Sequence, residues 1–186
     1  MGDFRDGKGS YRLCAVPSHF KKGGKKAMKT IQAQPITKEN FKPFGMYYNL
    51  YEFEAIETPD FKCNITPEPI VNAPMHLGVT MCHAGDFDSI SMERHFLTEE
   101  PQFCADGPMV LTVANSDPEQ NPKEEDVRAF LMQPGDVAVL AKGIWHDANH
   151  AVDQDTMYYF LAENSDDPRE TEWVAVQPEP VHVLVK

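Results

Sequence analysis

The stretch that decides the fold is Gly135-Asp136-Val137-Ala138-Val139-Leu140-Ala141-Lys142-Gly143-Ile144-Trp145-His146. Its run of small and branched apolar residues predicts a buried strand, and the glycines at positions 135 and 143 predict tight turns at its two ends. The following strand then carries the imidazole of His146 inward. The pattern therefore predicts a β-sheet protein with a histidine facing its interior.

Short strands are predicted for most of the remaining chain. Runs rich in Val, Ile, Phe, Tyr and Thr alternate with Pro, Gly, Asn and Asp, and fifteen prolines disfavour long helices. One short helix is predicted between Thr37, which can cap it, and Pro43. The predicted strands cover residues 75–83, 89–96, 109–114, 127–132, 137–141, 156–162, 173–177 and 182–185. Eight short strands at this spacing predict an all-β sandwich or jelly-roll barrel.

A second histidine lies on an earlier predicted strand, within Glu93-Arg94-His95. Because residues two apart on a strand face the same way, the side chains of positions 93 and 95 project together. Glu99 or Glu100 could add a carboxylate a few residues later. With His146, this set suits either a divalent metal such as Zn, Mn or Fe, or metal-free acid–base chemistry.

The orientation of this strand stays open at the level of the sequence. Ile90, Met92 and Phe96 form an apolar face opposite Glu93 and His95. If that apolar face were turned to the interior, the two polar side chains would point to solvent and would form no site. The remaining histidines of the main part of the chain are expected to be surface or hydrogen-bonded residues: His76, His83, His150 and His182.

Composition limits the partners and the compartment. A net charge of −12 argues against nucleic acid, because phosphates require clustered Lys and Arg. No apolar run approaches the roughly 20 residues of a membrane helix, so no membrane partner is expected. The four cysteines, Cys14, Cys63, Cys82 and Cys104, lack the spacing of a disulfide scaffold or a zinc site. Reduced thiols and a cytoplasmic location are expected.

Residues 1–27 differ from the rest of the chain. They carry seven basic and two acidic side chains, and they lack the apolar core of a signal peptide. We expect this segment to be a basic, disordered leader. Residues 28–186 are expected to form a single barrel domain.

Several of these stretches resemble motifs of the cupin fold. The glycine–histidine stretch resembles the second cupin motif, with Ala141 in place of a proline, and Glu93-Arg94-His95 resembles the first, with Glu93 in place of a histidine. Together with residues 35–45 and Val127-Arg128-Ala129-Phe130, they resemble the ureidoglycolate lyase (ureidoglycolate hydrolase) family of cupins. The resemblance implies a double-stranded β-helix jelly-roll barrel with little helix, and a homodimer.

The same resemblance implies an activity, which is the cleavage of ureidoglycolate to glyoxylate and urea in allantoin (purine) degradation. The catalytic candidates are Glu93, His95 and His146: one histidine removes the hydroxyl proton, and Glu93 protonates the leaving nitrogen. The chain departs from the family where His146 is followed by Asp147 in place of a second histidine. It departs again after Thr98, where the family tends to have a Thr-Gln-x-Phe-x-Pro run.

The substrate implied by the resemblance is a small anion, so a cation should bind its carboxylate. Arg94, Arg128 and Lys142 are candidates, and Trp145 is a further substrate-binding candidate. Because Arg94 lies on the strand face opposite His95, Arg128 or Lys142 is the better anchor. No cofactor is required by the sequence. A divalent metal, if bound, would have the ligand candidates Glu93, His95, Glu99 and His146.

Two other functions stay open. A cupin of this composition could be a metal-dependent enzyme acting on a sugar or another small hydroxy-carbonyl compound, because a fold does not fix a reaction. It could also be a non-catalytic barrel that binds a small ligand. A pocket lined by Glu and lacking Arg would favour a neutral sugar over an anion.

Overall fold

β-strands supply nearly all of the regular structure. The computed structural model describes residues 27–116, 120–163 and 171–186, so the predicted leader lies outside the described residues apart from residue 27. The strands are β1 (Lys29–Gln32), β2 (Gln34–Pro35), β3 (Gly45–Asn49), β4 (Ala55–Glu57), β5 (Lys62–Asn64), β6 (His76–Cys82), β7 (Phe87–Ser89), β8 (Ser91–His95), β9 (Glu100–Cys104), β10 (Met109–Ala114), β11 (Val127–Met132), β12 (Asp136–Leu140), β13 (Trp145–His146), β14 (His150–Ala151), β15 (Thr156–Ala162), β16 (Thr171–Ala175) and β17 (Val181–Leu184). The helical segments are α1 (Lys38–Phe41) and one 3-10 turn (Leu50–Glu52).

The strands form three sheets and a hairpin. The seven-stranded sheet has the order β16-β8-β13-β10-β11-β2, with β14 paired to β10. The five-stranded sheet has the order β3-β12-β9-β15-β6, the three-stranded sheet has the order β1-β17-β7, and β4 pairs with β5. The two large sheets form an open sandwich, since no ladder between described strands joins one to the other. The prediction of an all-β fold with little helix is confirmed.

Two apolar cores lie on opposite faces of the seven-stranded sheet. Because successive residues of a strand point to opposite faces, the buried side chains of β10 alternate between these cores. The first core lies between the two large sheets and includes Leu111 and Leu140. The second core lies beneath the three-stranded sheet and includes Val110, Trp145 and Val183. A side chain's position on its strand therefore decides which core it joins.

The predicted helix forms where its capping residue placed it. The Thr37 hydroxyl accepts from the Asn40 backbone N–H at 3.1 Å, and the Thr37 N–H donates to Asn40 Oδ1 at 2.8 Å, which is a reciprocal cap. Phe41 is fully buried and packs edge-on against Phe130. Among the described residues, no helix is long and apolar enough to span a membrane.

The eight predicted strands are found within two residues of their expected ends, with one division. The stretch predicted as 89–96 is two strands, because β7 pairs with β17 in the three-stranded sheet while β8 joins the seven-stranded sheet. Strands β1 to β5 and β14 lie outside the predicted stretches, and so does β9. Its sequence, Glu-Pro-Gln-Phe-Cys, begins with an acid and a proline, and both are uncommon in strands.

Candidate active site

Strand β8 turns its acid and its histidine toward the first core. Met92 is fully buried in the second core, so the neighbouring residue on each side of it faces the other way. Glu93 and His95 therefore face the space between the two large sheets. The opposite, apolar face of β8 packs beneath the three-stranded sheet through Met92. This settles the orientation that the sequence left open.

A glycine turn brings His146 to the same space. Gly143 has a φ of 78°, where a side chain would be strained, and this lets β12 turn tightly into β13. The Gly143 N–H donates to the His95 carbonyl oxygen at 2.7 Å, which joins the turn to the end of β8. His146 and Glu93 are directly opposite partners in an antiparallel ladder, so their side chains project from the same face.

Four side chains meet in this space: Glu93, His95, Glu100 and His146, called here the site cluster. His95 Nε2 lies 2.7 Å from Glu100 Oε2. His146 Nε2 lies 3.3 Å from the same oxygen and 3.6 Å from Glu93 Oε1. None of the four side chains is more than 22% exposed, so little water screens their charges.

Glu100 reaches the site cluster from the opposite sheet. It lies on β9 in register with Leu140 of β12, and its side chain is 7% exposed. The sequence left either Glu99 or Glu100 as the additional acid and made Glu99 the metal-ligand candidate. The structure places Glu100 at the two histidines, and Glu99, the residue before β9, is not in the cluster.

Charge and burial act against each other on these groups. Burial would lower the pKa of His146, but the negative charges of Glu100 and Glu93 outweigh it and raise that pKa to about 9. Burial also raises the pKa of Glu93, which the nearby histidines only partly oppose. The pKa of Glu100 is well below its usual value because both histidines stabilise its charge more than burial disfavours it. Without metal, the cluster therefore holds an ionised Glu100 beside a readily protonated His146.

The cluster residues fit a divalent metal. One ligand atom each from Glu93, His95 and His146 lies within 4.8 Å of the other two. His146 Nδ1 lies 3.3 Å from the Ile144 carbonyl oxygen, so the buried Nε2 is the ring nitrogen that faces the two carboxylates. Once it has lost its proton, this nitrogen can coordinate a cation. Imidazole nitrogens combined with carboxylate oxygens suit Mn, Fe or Zn.

Comparison with known proteins identifies the family. The family model described as ureidoglycolate lyase matches residues 28–183. The chain belongs to the ureidoglycolate lyase family. All four residues of the site cluster lie within the matched region. No curated protein sequence matches the chain.

Solved structures with a similar course of the chain are larger proteins. A variant of oxalate decarboxylase from Bacillus subtilis shares 18% identity, with 69% of this chain and 31% of that chain covered and a TM-score of 0.39. The 7S globulin of Momordica charantia shares 14% identity, with coverages of 72% and 37% and a TM-score of 0.38. This member of the ureidoglycolate lyase family thus spans about a third of the length of the solved structures it matches.

Two predicted substrate contacts of this ureidoglycolate lyase family member need correction. Trp145 is fully buried in the second core, and the Arg94 guanidinium lies 4.1 Å over its ring. A second ring, Phe96, lies 4.5 Å from the same guanidinium. Because both residues alternate with members of the site cluster along their strands, they face away from it. In this position Trp145 packs in the second core and makes a cation–π contact with Arg94.

The two other predicted anion anchors are exposed. Arg128 Nη1 donates to the Glu125 and Val127 carbonyl oxygens at 2.7 and 2.8 Å. Lys142 lies in the turn whose Gly143 is hydrogen-bonded to the end of β8. Lys142 is therefore the candidate whose backbone is connected to the site cluster.

Three residues near the cluster were not found from the sequence: Gln102, Asn149 and Trp173. The Trp173 indole hydrogen-bonds the Glu93 carboxylate from the neighbouring strand β16, where the two residues are in register. Trp173 remains 44% exposed, so it lies between the cluster and solvent. No motif marks these positions, because their roles depend on which strands become neighbours.

Proposed function

We propose that this protein is a ureidoglycolate lyase, which cleaves the C–N bond of ureidoglycolate and releases glyoxylate and urea. The observation that carries this proposal is the family match over residues 28–183, which contains a buried cluster of two imidazoles and two carboxylates. The reaction needs one group to remove a proton and another to return one. The same family membership supports a role in allantoin degradation.

The reaction moves a proton from oxygen to nitrogen within one substrate molecule. His95, or His146 once it has given up its own proton, takes the proton of the substrate hydroxyl, and the electrons of that O–H bond form the carbonyl of glyoxylate. The C–N bonding pair leaves with the urea nitrogen. Glu93, whose pKa is raised by burial, returns a proton to that nitrogen and completes urea. All three groups face the same space, as this transfer requires.

As the alternative to this metal-free proton transfer, we propose that the cluster binds a divalent ion. His95, His146 and Glu93 would hold it, and Glu100 lies beside them from the opposite sheet. When bound, the ion would supply positive charge that lowers the pKa of the substrate hydroxyl. That charge would also compensate for the two carboxylates, which otherwise repel an anionic substrate.

Lys142 is our proposed anchor for the substrate carboxylate. It is exposed, and its turn is fixed to the end of β8 by the hydrogen bond from Gly143 to His95. A flexible ammonium group at this turn could reach a carboxylate bound at the cluster.

The proposal is tested by glyoxylate release from ureidoglycolate, measured beside elemental analysis of the same preparation. We expect turnover by the wild-type protein and a loss of about 100-fold or more in His146→Ala and in Glu93→Gln, which removes an acid without changing its shape. His182→Gln is the matched control, because His182 pairs with Asp88 outside the cluster. An inactive wild-type protein would refute the proposal.

A second candidate is supported by the charges of the site. The cluster contains two carboxylates and neither lysine nor arginine, and Arg94 faces the second core. Such a site would suit a neutral sugar or another small hydroxy-carbonyl compound. Near-stoichiometric metal without glyoxylate release would favour this enzyme. Absence of both metal and turnover would favour a non-catalytic binding protein.

We also propose that the protein is a homodimer, formed through the outer face of the five-stranded sheet. On β6, the side chains of Leu77, Val79 and Met81 point away from the first core and are 71, 54 and 57% exposed. Tyr159 of β15 is in register with Val79 and is 37% exposed. A contiguous apolar surface on a sheet face is typical of an interface, and a twofold axis would pair it with its own copy.

A cytoplasmic location is the last part of the proposal. Cys63, Cys82 and Cys104 are free thiols, and the latter two are buried. Thiols kept reduced suit a reducing compartment. Titration of the unfolded protein, purified without reductant, should find four reduced thiols, including that of Cys14, and a disulfide would count against this location.

A further inference from the structure

A chain of buried hydrogen bonds leads from the site cluster to two amide side chains. Gln102 Nε2 donates to Glu100 Oε1 at 2.8 Å, and Asn149 Nδ2 donates to Gln102 Oε1 at 2.8 Å. Gln102 is fully buried and Asn149 is 2% exposed. Gln102 and Glu100 lie on β9, whereas Asn149 follows β13. These two hydrogen bonds therefore link the five-stranded sheet to the segment that comes just after His146.

The direction of these hydrogen bonds is fixed by the carboxylate at their end. An ionised carboxylate can only accept, so Gln102 must turn its NH₂ group toward Glu100 and its oxygen away. Asn149 donates to that oxygen and so opposes a 180° rotation of the Gln102 amide. Glu100 is left with Oε1 occupied and with Oε2 at 2.7 and 3.3 Å from the two histidines.

The surroundings of the two amides indicate a role beyond filling space. Gln102 is in register with Ala138 and Phe160, which belong to the apolar surroundings of the first core. An apolar side chain would fill this position without the cost of burying an amide. Asn149 Oδ1 is buried without a hydrogen-bond partner. The side chain therefore satisfies its NH₂ donor, which bonds Gln102, while its oxygen stays unbonded at a cost in free energy.

We propose that Gln102 and Asn149 are positioning residues that hold Glu100 between His95 and His146, and through Glu100 fix the orientation of both imidazoles. Replacing residues that orient metal-binding side chains in this way commonly changes metal affinity or activity about 10- to 100-fold. The inference concerns the site of the proposed lyase, and it rests on that function only for its effect on turnover.

The test compares the imidazole ¹⁵N signals of His95 and His146 in the metal-free protein. Gln102→Met removes the donor to Glu100 at nearly constant length, and Asn149→Leu removes the second donor at nearly constant shape. Thr112→Val is the matched control: Thr112 is fully buried, its hydroxyl makes no hydrogen bond, and its neighbour Ala129 packs in the second core.

We expect both histidine signals to shift in Gln102→Met and to shift less, in the same direction, in Asn149→Leu, because that variant keeps the donor to Glu100. Thr112→Val should retain the wild-type signals. If Gln102→Met does not fold, Asn149→Leu alone carries the comparison. Folded variants with wild-type histidine signals would overturn the inference and leave the amides a purely structural role.

Turnover separates this inference from the proposed function. If the wild-type protein releases glyoxylate, kcat should fall about 10- to 100-fold in Gln102→Met with little change in KM, since the substrate does not touch the amide. If the wild-type protein releases none, the lyase proposal fails, and the histidine signals still decide whether the two amides position Glu100.

Discussion

At the scale of single residues, the protonation of His146 is controlled by its neighbours rather than by its burial. Burial disfavours the imidazolium, but Glu100 and Glu93 lie 3.3 and 3.6 Å from Nε2 and raise the pKa of His146 to about 9. At neutral pH the metal-free histidine therefore carries a proton on a nitrogen that a metal would need. Proton and metal compete for the same atom.

This competition predicts a pH dependence of metal binding. Below pH 9, each ion that binds must displace one proton from His146, so the affinity for Mn²⁺ should rise about tenfold per pH unit between pH 7 and pH 9. Calorimetric titration with Mn²⁺ in buffers of different ionisation enthalpy measures both the affinity and the released proton. Glu100→Gln should flatten the dependence, because it removes the main charge that holds the proton. An affinity that does not change with pH would contradict this account of His146.

The sequence predicts only part of the site at this scale. Glu93, His95 and His146 follow from two local rules, the two-residue alternation of a strand and the spacing between the two glycines. Gln102 and Asn149 follow from neither rule, because they matter only after β9 has packed beside β12. Which of two adjacent acids faces the histidines also depends on the register of β9, and the sequence alone does not fix that register.

At the scale of elements, most strands are predictable because their apolar residues recur in runs bounded by glycine, proline or aspartate. Strand β9 is one of the strands that this pattern misses, since its inward side chains, Glu100 and Gln102, are polar and its second residue is proline. The neighbouring strands β12 and β15 supply the partners that make it a strand. The polar side chains that serve the site interrupt the apolar alternation of this strand, so a search for hydrophobic patterns does not find it.

Strand β14 yields a prediction on stability. His150 stacks on Phe87 with ring centroids 3.5 Å apart, and burial, followed by the nearby His83, lowers the pKa of His150 to about 4. His83 itself is 3.0 Å from Asp155. Between pH 6.5 and pH 4, His150 is protonated in the unfolded chain but stays neutral in the folded protein. The free energy of unfolding therefore decreases as the pH falls through this range.

His150→Phe keeps an aromatic ring at this position and removes the titration. Urea unfolding of the wild-type and variant proteins at pH 6.5, 5.5 and 4.5 should show a smaller loss of unfolding free energy in the variant. The carboxylates of the site titrate equally in both proteins and cancel in the comparison. Equal losses would mean that His150 is free to take up a proton in the folded state.

At the scale of the whole molecule, the seven-stranded sheet lies between two cores, and its strands β10 and β11 contribute side chains to both. Met92 and Trp145 anchor β8 and β13 to the second core, and their sequence neighbours Glu93 and His146 meet in the first. The rigid apolar packing on one face thus positions the polar groups on the other. On the outer face of the five-stranded sheet, no described residue forms such a covering layer over β6, and this led to the proposed homodimer.

The dimer proposal predicts the effect of a charge on that face. Val79→Lys should convert a dimer of the wild-type protein into a monomer, because a lysine at the centre of an apolar interface loses its hydration. Sedimentation or light scattering of the full chain measures the mass. Ile56→Lys is the matched control, since Ile56 is 57% exposed on the separate β4–β5 hairpin. A monomeric wild-type protein, or a dimer that survives Val79→Lys, would contradict the proposed face.

The most direct test of the central claim is the product balance from ureidoglycolate. Cleavage of the C–N bond at the hydroxyl-bearing carbon yields one urea for each glyoxylate and no ammonia, whereas hydrolysis within the urea group would release ammonia instead. We predict that the wild-type protein forms urea and glyoxylate in equal amounts. Ammonia in place of urea, or no glyoxylate at all, would contradict the assignment of this site to a lyase.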